Sequence, residues 1–136
     1  MNRDKNKIVV YAPLGIGGVS SLMTNIQKKL DREKLNFDYL VVHDRKEPME
    51  DLVVSLGSKK IVAAADEIKF RPLRTVVRFF RIIKECKRND IKVLHFNGGA
   101  PMGLFTIVAA KFGGVKHITF HSHNGGMSNE GKFVSL

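Results

Sequence analysis

The chain has 136 residues, 43% of them hydrophobic, and its 23 Lys and Arg against 13 Asp and Glu give a formal net charge of +10. This length fits one domain with a buried core, and the charge favours phosphates, anionic lipid or nucleic acid as partners without choosing among them. The single cysteine, Cys86, excludes an internal disulfide and favours a reducing cytoplasm, and no apolar stretch is long enough to span a membrane.

Apolar runs alternate with helical patterns along the whole chain. The runs predict five strands, at 7–12, 37–42, 60–64, 92–96 and 117–121. The patterns between them predict four helices, at 20–30, 48–56, 73–88 and 101–112. This alternation predicts one Rossmann-like, doubly wound α/β domain over residues 1–136, with a single parallel sheet in the usual strand order 3-2-1-4-5.

A glycine-rich loop follows the first predicted strand. Its residues Gly15, Gly17 and Gly18 lack a Cβ and can adopt positive φ angles, so the backbone can turn sharply and expose N–H groups to an anion. The positive end of the next helix would point at the same place. The loop predicts a phosphate-binding corner, and the alternative is a tight connection without a ligand. No Gly-Lys-Ser/Thr follows, which excludes a P-loop.

The same loop matches the dinucleotide-binding fingerprint Gly-x-Gly-x-x-Gly only in part, because Ser20 stands at the third glycine position. Asp44, just past the second strand, could still serve as the acid that binds a ribose. A nucleotide-binding oxidoreductase domain that uses Gly15, Gly17 and Asp44 to hold NAD(P) therefore stays open as an alternative.

The third predicted helix is strongly amphipathic. Apolar residues at helical spacing form one stripe: Leu73, Val76, Val77, Phe80 and Ile83. Arginines gather on the opposite face: Arg71, Arg74, Arg78, Arg81 and Arg88. The pattern predicts that the stripe packs on the sheet and that the basic face is solvated, with Ile82 nearer the arginines. Because guanidinium pairs phosphate bidentately, Arg74, Arg78 and Arg81 are candidates for a membrane or anion patch, as in a non-enzymatic module that binds lipid or nucleic acid.

Polar, glycine-flanked segments follow the fourth and fifth strands. In an open parallel sheet, ligands bind beyond the carboxyl ends of the strands, where the strand order reverses. The predicted order makes strands 1, 4 and 5 neighbours, so segments 13–20, 95–99 and 121–126 should meet in one crevice. The candidate ligand contacts after strands 4 and 5 are His95, Asn97, His121, His123 and Asn124. For His95, a half-buried structural role is the alternative.

His121 and His123 form a His-x-His pair, and strand alternation would place both on one face, as some metal sites require. No carboxylate lies in these segments to complete a ligand set, so no metal site is predicted. His43 and His117 are predicted to be ordinary residues at strand ends.

Four features together resemble a known family. The first strand leads through Gly17-Gly18-Val19 into a helix, and residues 31–41 have the sequence DREKLNFDYLV. His95 ends the fourth strand, and residues 119–124 have the sequence TFHSHN. Over nearly its whole length the chain resembles the amino-terminal domain of glycosyltransferase family 4. Those enzymes have the GT-B fold, and many assemble capsular polysaccharide or exopolysaccharide in bacteria.

The resemblance implies a retaining transfer of a sugar from a UDP- or GDP-linked donor to a saccharide or lipid-linked acceptor, with no obligatory metal or other cofactor. The chain would form the acceptor-side half of a GT-B architecture, with Gly17 and Gly18 facing the donor phosphates beside Gly15. His121 matches the histidine that approaches the donor sugar and the reacting centre, where it would position the donor. The acceptor-side neighbours would be His95, Asn97, His123 and Asn124.

The chain departs from the family pattern in its extent. The carboxy-terminal domain, which binds most of the nucleotide sugar and carries a Glu-x7-Glu motif, is absent, and the first domain of the family continues past a fifth strand. We therefore expect a truncated piece or separate half of a glycosyltransferase that is inactive alone. The basic third helix would fit family members that dock peripherally on the inner face of the cell membrane, and nucleic acid is not an expected partner of such an enzyme.

Overall fold

The computed structural model describes residues 7–99 and 102–122, in which strands and helices alternate. The strands are β1 (Lys7–Tyr11), β2 (Asn36–Val41), β3 (Lys60–Val62), β4 (Val93–Asn97) and β5 (His117–His121). The helices are α1 (Gly18–Lys29), α2 (Glu50–Ser55), α3 (Arg71–Arg88) and α4 (Met102–Phe112). Each of these elements begins and ends within two residues of its predicted bounds.

All five strands form one parallel sheet in the order β3-β2-β1-β4-β5. β1 is the central strand, and its residue Val10 pairs with Tyr39 of β2 on one side and His95 of β4 on the other. The predicted fold class and strand order are thereby confirmed. The order reverses between β1 and β4, so the carboxyl ends of these strands form the switch point of the sheet.

Helices cover both faces of the sheet. On one face, Met23 of α1 and Val53 of α2 belong to the core around Val10 and Tyr39. On the other face, residues of α3 and α4 pack on Val9, Leu40 and Leu94: they are Ile82, Cys86, Ala109 and Ala110. Adjacent residues of β1 are therefore both buried, which explains why this strand has a continuous apolar sequence rather than an alternating one.

A buried polar network fixes α1 against the sheet. The Gln27 amide group donates to the Ser58 hydroxyl at 2.5 Å and accepts from the Tyr39 hydroxyl at 3.1 Å. The Ser58 hydroxyl in turn donates to the Phe37 carbonyl of β2 at 2.5 Å. Burial raises the pKa of Tyr39 to about 12, so its hydroxyl keeps its proton and remains a donor. The network holds α1, and with it the glycine-rich loop, at a defined position.

The predicted orientation of α3 is wrong. Ile82 and Cys86 are the fully buried residues of this helix, whereas Leu73 and Phe80 of the apolar stripe are 50% and 62% exposed. The helix thus turns most of the predicted stripe toward solvent. Amphipathicity indicates that a helix has an apolar side, but packing against the rest of the chain decides where that side points.

Three arginines of α3 lie against the segment that connects β3 to α3. Arg74 Nε donates to the Ile68 carbonyl at 2.6 Å, and Arg81 donates to the Ala64 carbonyl and the Glu67 carboxylate. Arg78, whose side chain is 12% exposed, lies 3.6 Å from the Asp66 carboxylate. These three guanidinium groups contact oxygen atoms of the chain itself, whereas the sequence predicted that the basic face of the helix would be solvated. Carbonyl and carboxylate partners allow this side of the helix to face inward, although the buried Nε of Arg78 has no hydrogen-bond partner among the described residues.

α3 and α4 meet at a close contact near their carboxyl ends. Gly113 follows α4, and a Cβ built on it would overlap the Cβ of Cys86 in α3. Burial raises the pKa of the Cys86 thiol to about 11. In the part of the chain that the structure describes, neither these helices nor the others have the length and apolar character needed to cross a bilayer.

Candidate functional site

The carboxyl ends of β1, β4 and β5 lie side by side, as the strand order requires. The Asn97 amide donates to the Tyr11 carbonyl at 3.4 Å and so joins β4 to β1. The Gly98 N–H donates to the His121 carbonyl at 3.2 Å, which joins the ends of β4 and β5. The rings of His95 and His121 are 5.9 Å apart and nearly perpendicular. The structure therefore brings together His95, Asn97 and His121, which were singled out from the sequence.

These three polar residues lie on the same face of the sheet as α1. Partners in a parallel register point to the same side, and His95 pairs with Val10, which belongs to the core under α1 and α2. Asn97 pairs with His121. His121 is exposed and His95 half-buried, whereas Asn97 is only 3% exposed. Two histidines are thus accessible to a ligand, and Asn97 serves mainly to hold the strand ends together.

The glycine-rich loop turns without left-handed backbone. Among the described residues, the glycines with positive φ are Gly57 and Gly114, so the loop glycines do not use the positive φ that they could adopt. Gly17 is extended, with φ −174° and ψ 170°, and no side chain caps α1. A Cβ added at any glycine of the loop would meet nothing within 4 Å. The loop is open, and neither its backbone conformation nor its packing requires glycine.

The stem of this loop is tied to the segment between β2 and α2. The Leu14 N–H donates to the Glu47 carboxylate at 2.6 Å, and the Leu14 carbonyl accepts from the Met49 N–H at 2.8 Å. The Ser20 hydroxyl donates to the Pro13 carbonyl at 2.7 Å and closes the other side of the loop. Glu47 thus has a positioning role that sequence reasoning missed.

A small cavity opens where β1 and β2 end. It has a volume of about 290 Å³, and its wall includes Tyr11, His43, Arg45 and Glu47. Arg45 Nε donates to the Glu47 carboxylate at 3.3 Å. The one sequence signal for this cavity is the charged run that follows β2, from His43 to Glu47. The cavity adjoins the loop stem and extends the candidate site along the carboxyl edge of the sheet.

Asp66 makes several contacts at the same edge of the sheet. The Asp44 N–H donates to one carboxylate oxygen of Asp66 at 2.9 Å, and His43 Nδ1 lies 3.1 Å from the other. The Asp44 hydrogen bond is the main cause of a lowered pKa at Asp66, with further lowering from His43 and Arg78. His43 is therefore more than the ordinary strand-end residue expected from the sequence.

Asp44 itself faces a second cavity, of about 550 Å³, between β3 and α3. The wall of this cavity also contains three other carboxylates, those of Asp66, Glu67 and Glu85, and two cations, Arg81 and Lys84.

We expect acid to destabilise the contacts between the β3–α3 segment and its neighbours. The pKa of Asp66 and that of Glu67 lie below their ordinary values of 3.8 and 4.5, the latter mainly because Arg81 donates to Glu67. The unfolded chain therefore takes up these protons first, and this stabilisation is present above about pH 5 and is lost as the pH falls through the folded-state pKa values. Denaturant unfolding between pH 7 and 3 measures it. A doubly substituted Asp66→Asn, Glu67→Gln chain should show a shallower acid slope, and an unchanged slope would contradict the assignment.

Two of the candidate residues, His123 and Asn124, lie outside the described residues. Within residues 7–99 and 102–122, no three His, Cys, Asp or Glu side chains are grouped as metal ligands.

Comparison with known proteins gives one similarity that bears on function. The chain is 26% identical over 125 residues to "Putative glycosyltransferase EpsF" of Bacillus subtilis (strain 168), an alignment that covers 91% of this chain and 32% of that protein. The chain thus spans about a third of the length of this relative. No protein-family model matches the chain, and no solved structure matches it significantly. The similarity indicates a glycosyltransferase-like chain.

Proposed function

We propose that the chain forms the acceptor-side wall of a glycosyltransferase of family 4 and the GT-B fold. In this proposal a sugar passes, with retention, from a UDP- or GDP-linked donor to a saccharide or lipid-linked acceptor of capsule or exopolysaccharide synthesis. The observation that carries the proposal is the open glycine-rich loop at the start of α1, on the same edge of the sheet as His95 and His121. The similarity to EpsF points to the same class of reaction.

The geometry of the loop supports a role in binding the donor phosphates. Gly17 and Gly18 have no positive φ and no neighbour that a Cβ would meet, so the fold alone does not require glycine at these positions. A ligand that approaches the backbone closely would require it. The uncapped N–H groups and the helix dipole of α1 attract a phosphate to the same place. Gly15 lies at the start of the loop, and a Cβ added there would also meet nothing within 4 Å.

The two histidines would act on the sugar side of the site. His121 is exposed at the end of β5, and its imidazole would hydrogen-bond the donor sugar and position it, without serving as an obligatory general base. His95, whose ring lies 5.9 Å from that of His121, would contact the acceptor, with His123 and Asn124 as further acceptor-side residues. Asn97 would act as a positioning residue, since its amide joins the ends of β1 and β4.

The proposal includes a second Rossmann-like domain that encloses the donor and acceptor. The relative is about three times as long as this chain, which leaves room for such a domain in proteins of this kind. Because transfer depends on holding both substrates together, we expect this chain to bind the donor weakly and not to turn it over alone. A lipid-linked acceptor would place the protein at the cytoplasmic face of the cell membrane.

Amide NMR spectra of the 136-residue chain, titrated with UDP- and GDP-sugars, test the proposal. We expect the largest shifts at Gly15, Gly17 and Gly18, with smaller ones at His95 and His121. A His121→Ala chain should keep the loop shifts and lose the difference between a nucleotide sugar and the free nucleotide, because the imidazole is assigned to the sugar.

The same titration with NAD separates the two nucleotide-binding alternatives. Shifts at the loop with a nicotinamide cofactor, and none with a nucleotide sugar, would favour an oxidoreductase domain. Shifts confined to residues away from the carboxyl edge, with either ligand, would overturn the assignment of the site.

A further inference from the structure

Arg45 lies beside the glycine-rich loop and is joined to it through one carboxylate. Arg45 Nε donates to one oxygen of Glu47 at 3.3 Å, and the other oxygen accepts from the Leu14 N–H at 2.6 Å. The Glu47 side chain is only 10% exposed, whereas that of Arg45 is 68% exposed. The buried carboxylate therefore holds the loop stem on one side and an accessible guanidinium group on the other.

The backbone beneath Arg45 is fixed from β3. Lys60 Nζ donates to the Arg45 carbonyl at 2.8 Å and to the Glu50 carboxylate at 2.9 Å. The same carboxylate oxygen accepts from the Glu47 N–H at 3.2 Å. The hydrogen bond from Lys60 is the main cause of a lowered pKa at Glu50, so this carboxylate stays ionised at neutral pH. These contacts hold the backbone of Arg45 and Glu47 at a defined position.

The rest of the Arg45 guanidinium group is accessible to a ligand. Among the described residues, its terminal nitrogens Nη1 and Nη2 have no hydrogen-bond or ion-pair partner. A guanidinium group presents parallel N–H groups that match two oxygens of a phosphate. Arg45 also lines the cavity of about 290 Å³ that opens where β1 and β2 end. A phosphate group in this cavity would meet a cation that Glu47 already holds at Nε.

A phosphate at the glycine-rich loop needs a cation nearby. The Glu47 carboxylate at the loop stem would repel it, and the backbone N–H groups and the helix dipole supply only partial positive charge. Residues 12–20 include no Lys or Arg. On the cavity wall, the described basic side chains are Arg45 and His43, and His43 Nδ1 lies 3.1 Å from the Asp66 carboxylate. Arg45 is therefore the cation best placed to neutralise a phosphate beside the loop.

We propose that Arg45 binds a substrate diphosphate beside the glycine-rich loop, with Glu47 as the positioning residue that holds both the loop and the guanidinium group. Arg45 contacts the phosphate oxygens from the β2 side, while the N–H groups at the start of α1 contact them from the loop side. This assignment rests on the proposed function where it takes the diphosphate to be that of the sugar donor. A diphosphate-linked acceptor offers the same chemistry, so both sources enter the test.

NMR spectra of the backbone amides and of the arginine Nε groups test the proposal. The 136-residue chain is titrated with inorganic pyrophosphate, with UDP- and GDP-sugars, and with geranyl diphosphate as a short diphosphate-linked lipid. We expect the Arg45 Nε signal to shift together with the amide signals of Leu14 and Gly17, and added salt should weaken the binding. An Arg45→Gln chain should bind pyrophosphate about tenfold more weakly, because it loses one charge-assisted contact. A larger loss for the nucleotide sugars assigns the site to the donor, and a larger loss for geranyl diphosphate assigns it to the acceptor.

Lys46→Gln is the matched control, because it removes the same charge from the next residue. The Lys46 side chain is 63% exposed, and its Nζ contacts the Asp51 carboxylate of α2. The affinity of this variant for pyrophosphate should match that of the unsubstituted chain. The amide spectra also show whether both variants are folded.

The possible outcomes separate the role of Arg45 from that of the whole site. If nucleotide sugars bind at the loop and the Arg45→Gln chain binds every diphosphate with unchanged affinity, Arg45 is not a ligand-binding residue, while the proposed function stands. If pyrophosphate and geranyl diphosphate shift the Arg45 signal and no nucleotide sugar binds, Arg45 is confirmed as a diphosphate-binding residue and the proposed function is wrong. If no diphosphate shifts the signals of Arg45 or of the loop, both assignments are wrong.

Discussion

Substitution of Gly113 by alanine is expected to lower the free energy of unfolding by about 2–3 kcal/mol, the upper part of the range for overpacking a well-filled core. The new Cβ would overlap that of Cys86 and lie 3.2 Å from the Ala110 carbonyl and 3.3 Å from the Ile83 carbonyl. The Cys86 Cβ and the Ile83 carbonyl belong to α3, so they move away from Gly113 only if α3 and α4 separate. Denaturant unfolding measures the loss. The thiol of Cys86, buried and with its pKa raised to about 11, should react faster with an alkylating reagent in the variant.

Gly114→Ala provides the matched control for this effect. Gly114 has φ +90°, but a Cβ there would meet nothing within 4 Å. We expect a loss of about 1 kcal/mol from the left-handed backbone alone, with Cys86 still protected. Equal alkylation rates in the two variants would show that the contact between α3 and α4 is not the cause of the Gly113 effect.

A loss of ligand binding, rather than a large loss of stability, is expected when Gly17 and Gly18 are both changed to alanine. Both positions have open space for a Cβ, and neither has a positive φ. Alanine is the better residue at Gly18 inside the helix but the poorer one at Gly17, the N-cap, so the free energy of unfolding should change by less than about 1 kcal/mol. Binding of a nucleotide sugar should weaken about tenfold, the equivalent of one hydrogen bond between a backbone N–H and a charged phosphate oxygen. Dissociation constants from the NMR titration and unfolding midpoints from circular dichroism measure the two effects on the same samples.

Ile16→Ala is the control within the loop. The Ile16 side chain is 88% exposed, and its truncation adds no atom to the surface formed by the glycines. We expect the affinity of this variant to match that of the unsubstituted chain. If the Gly17→Ala, Gly18→Ala chain also binds a nucleotide sugar with unchanged affinity, the assignment of the loop to the donor phosphates is wrong.

The sheet could be predicted from the sequence because its signals are local. Each strand is a short apolar run between turn residues, and the alternation of strands with helices predicts a parallel sheet. The rotation of α3 could not be predicted in this way. It depends on Asp66 and Glu67, which precede the helix and bind its arginines, and a helical wheel of residues 71–88 does not include these partners.

The candidate site, like the fold, could be predicted from the sequence only in part. The proximity of His95 and His121 followed from the strand order, since neighbouring parallel strands end at the same edge. The role of Glu47 could not be predicted from the strand order, because this residue accepts from the Leu14 N–H across 33 residues of sequence. The assignment of the loop to a phosphate stays a prediction, and its glycines do not use the positive φ that they could adopt.

The central position of β1 also sets the order in which the molecule can fold. One partner of β1 is β2, which follows after one helix. The other is β4, which begins at Val93, so the second edge of β1 can pair only after the chain has reached this strand. Closing so long a loop costs conformational entropy before any pairing energy is gained, and parallel sheets with such distant partners fold slowly. During synthesis, β1, β2 and β3 with α1 and α2 emerge as a unit with its own apolar cluster, while one edge of β1 stays open.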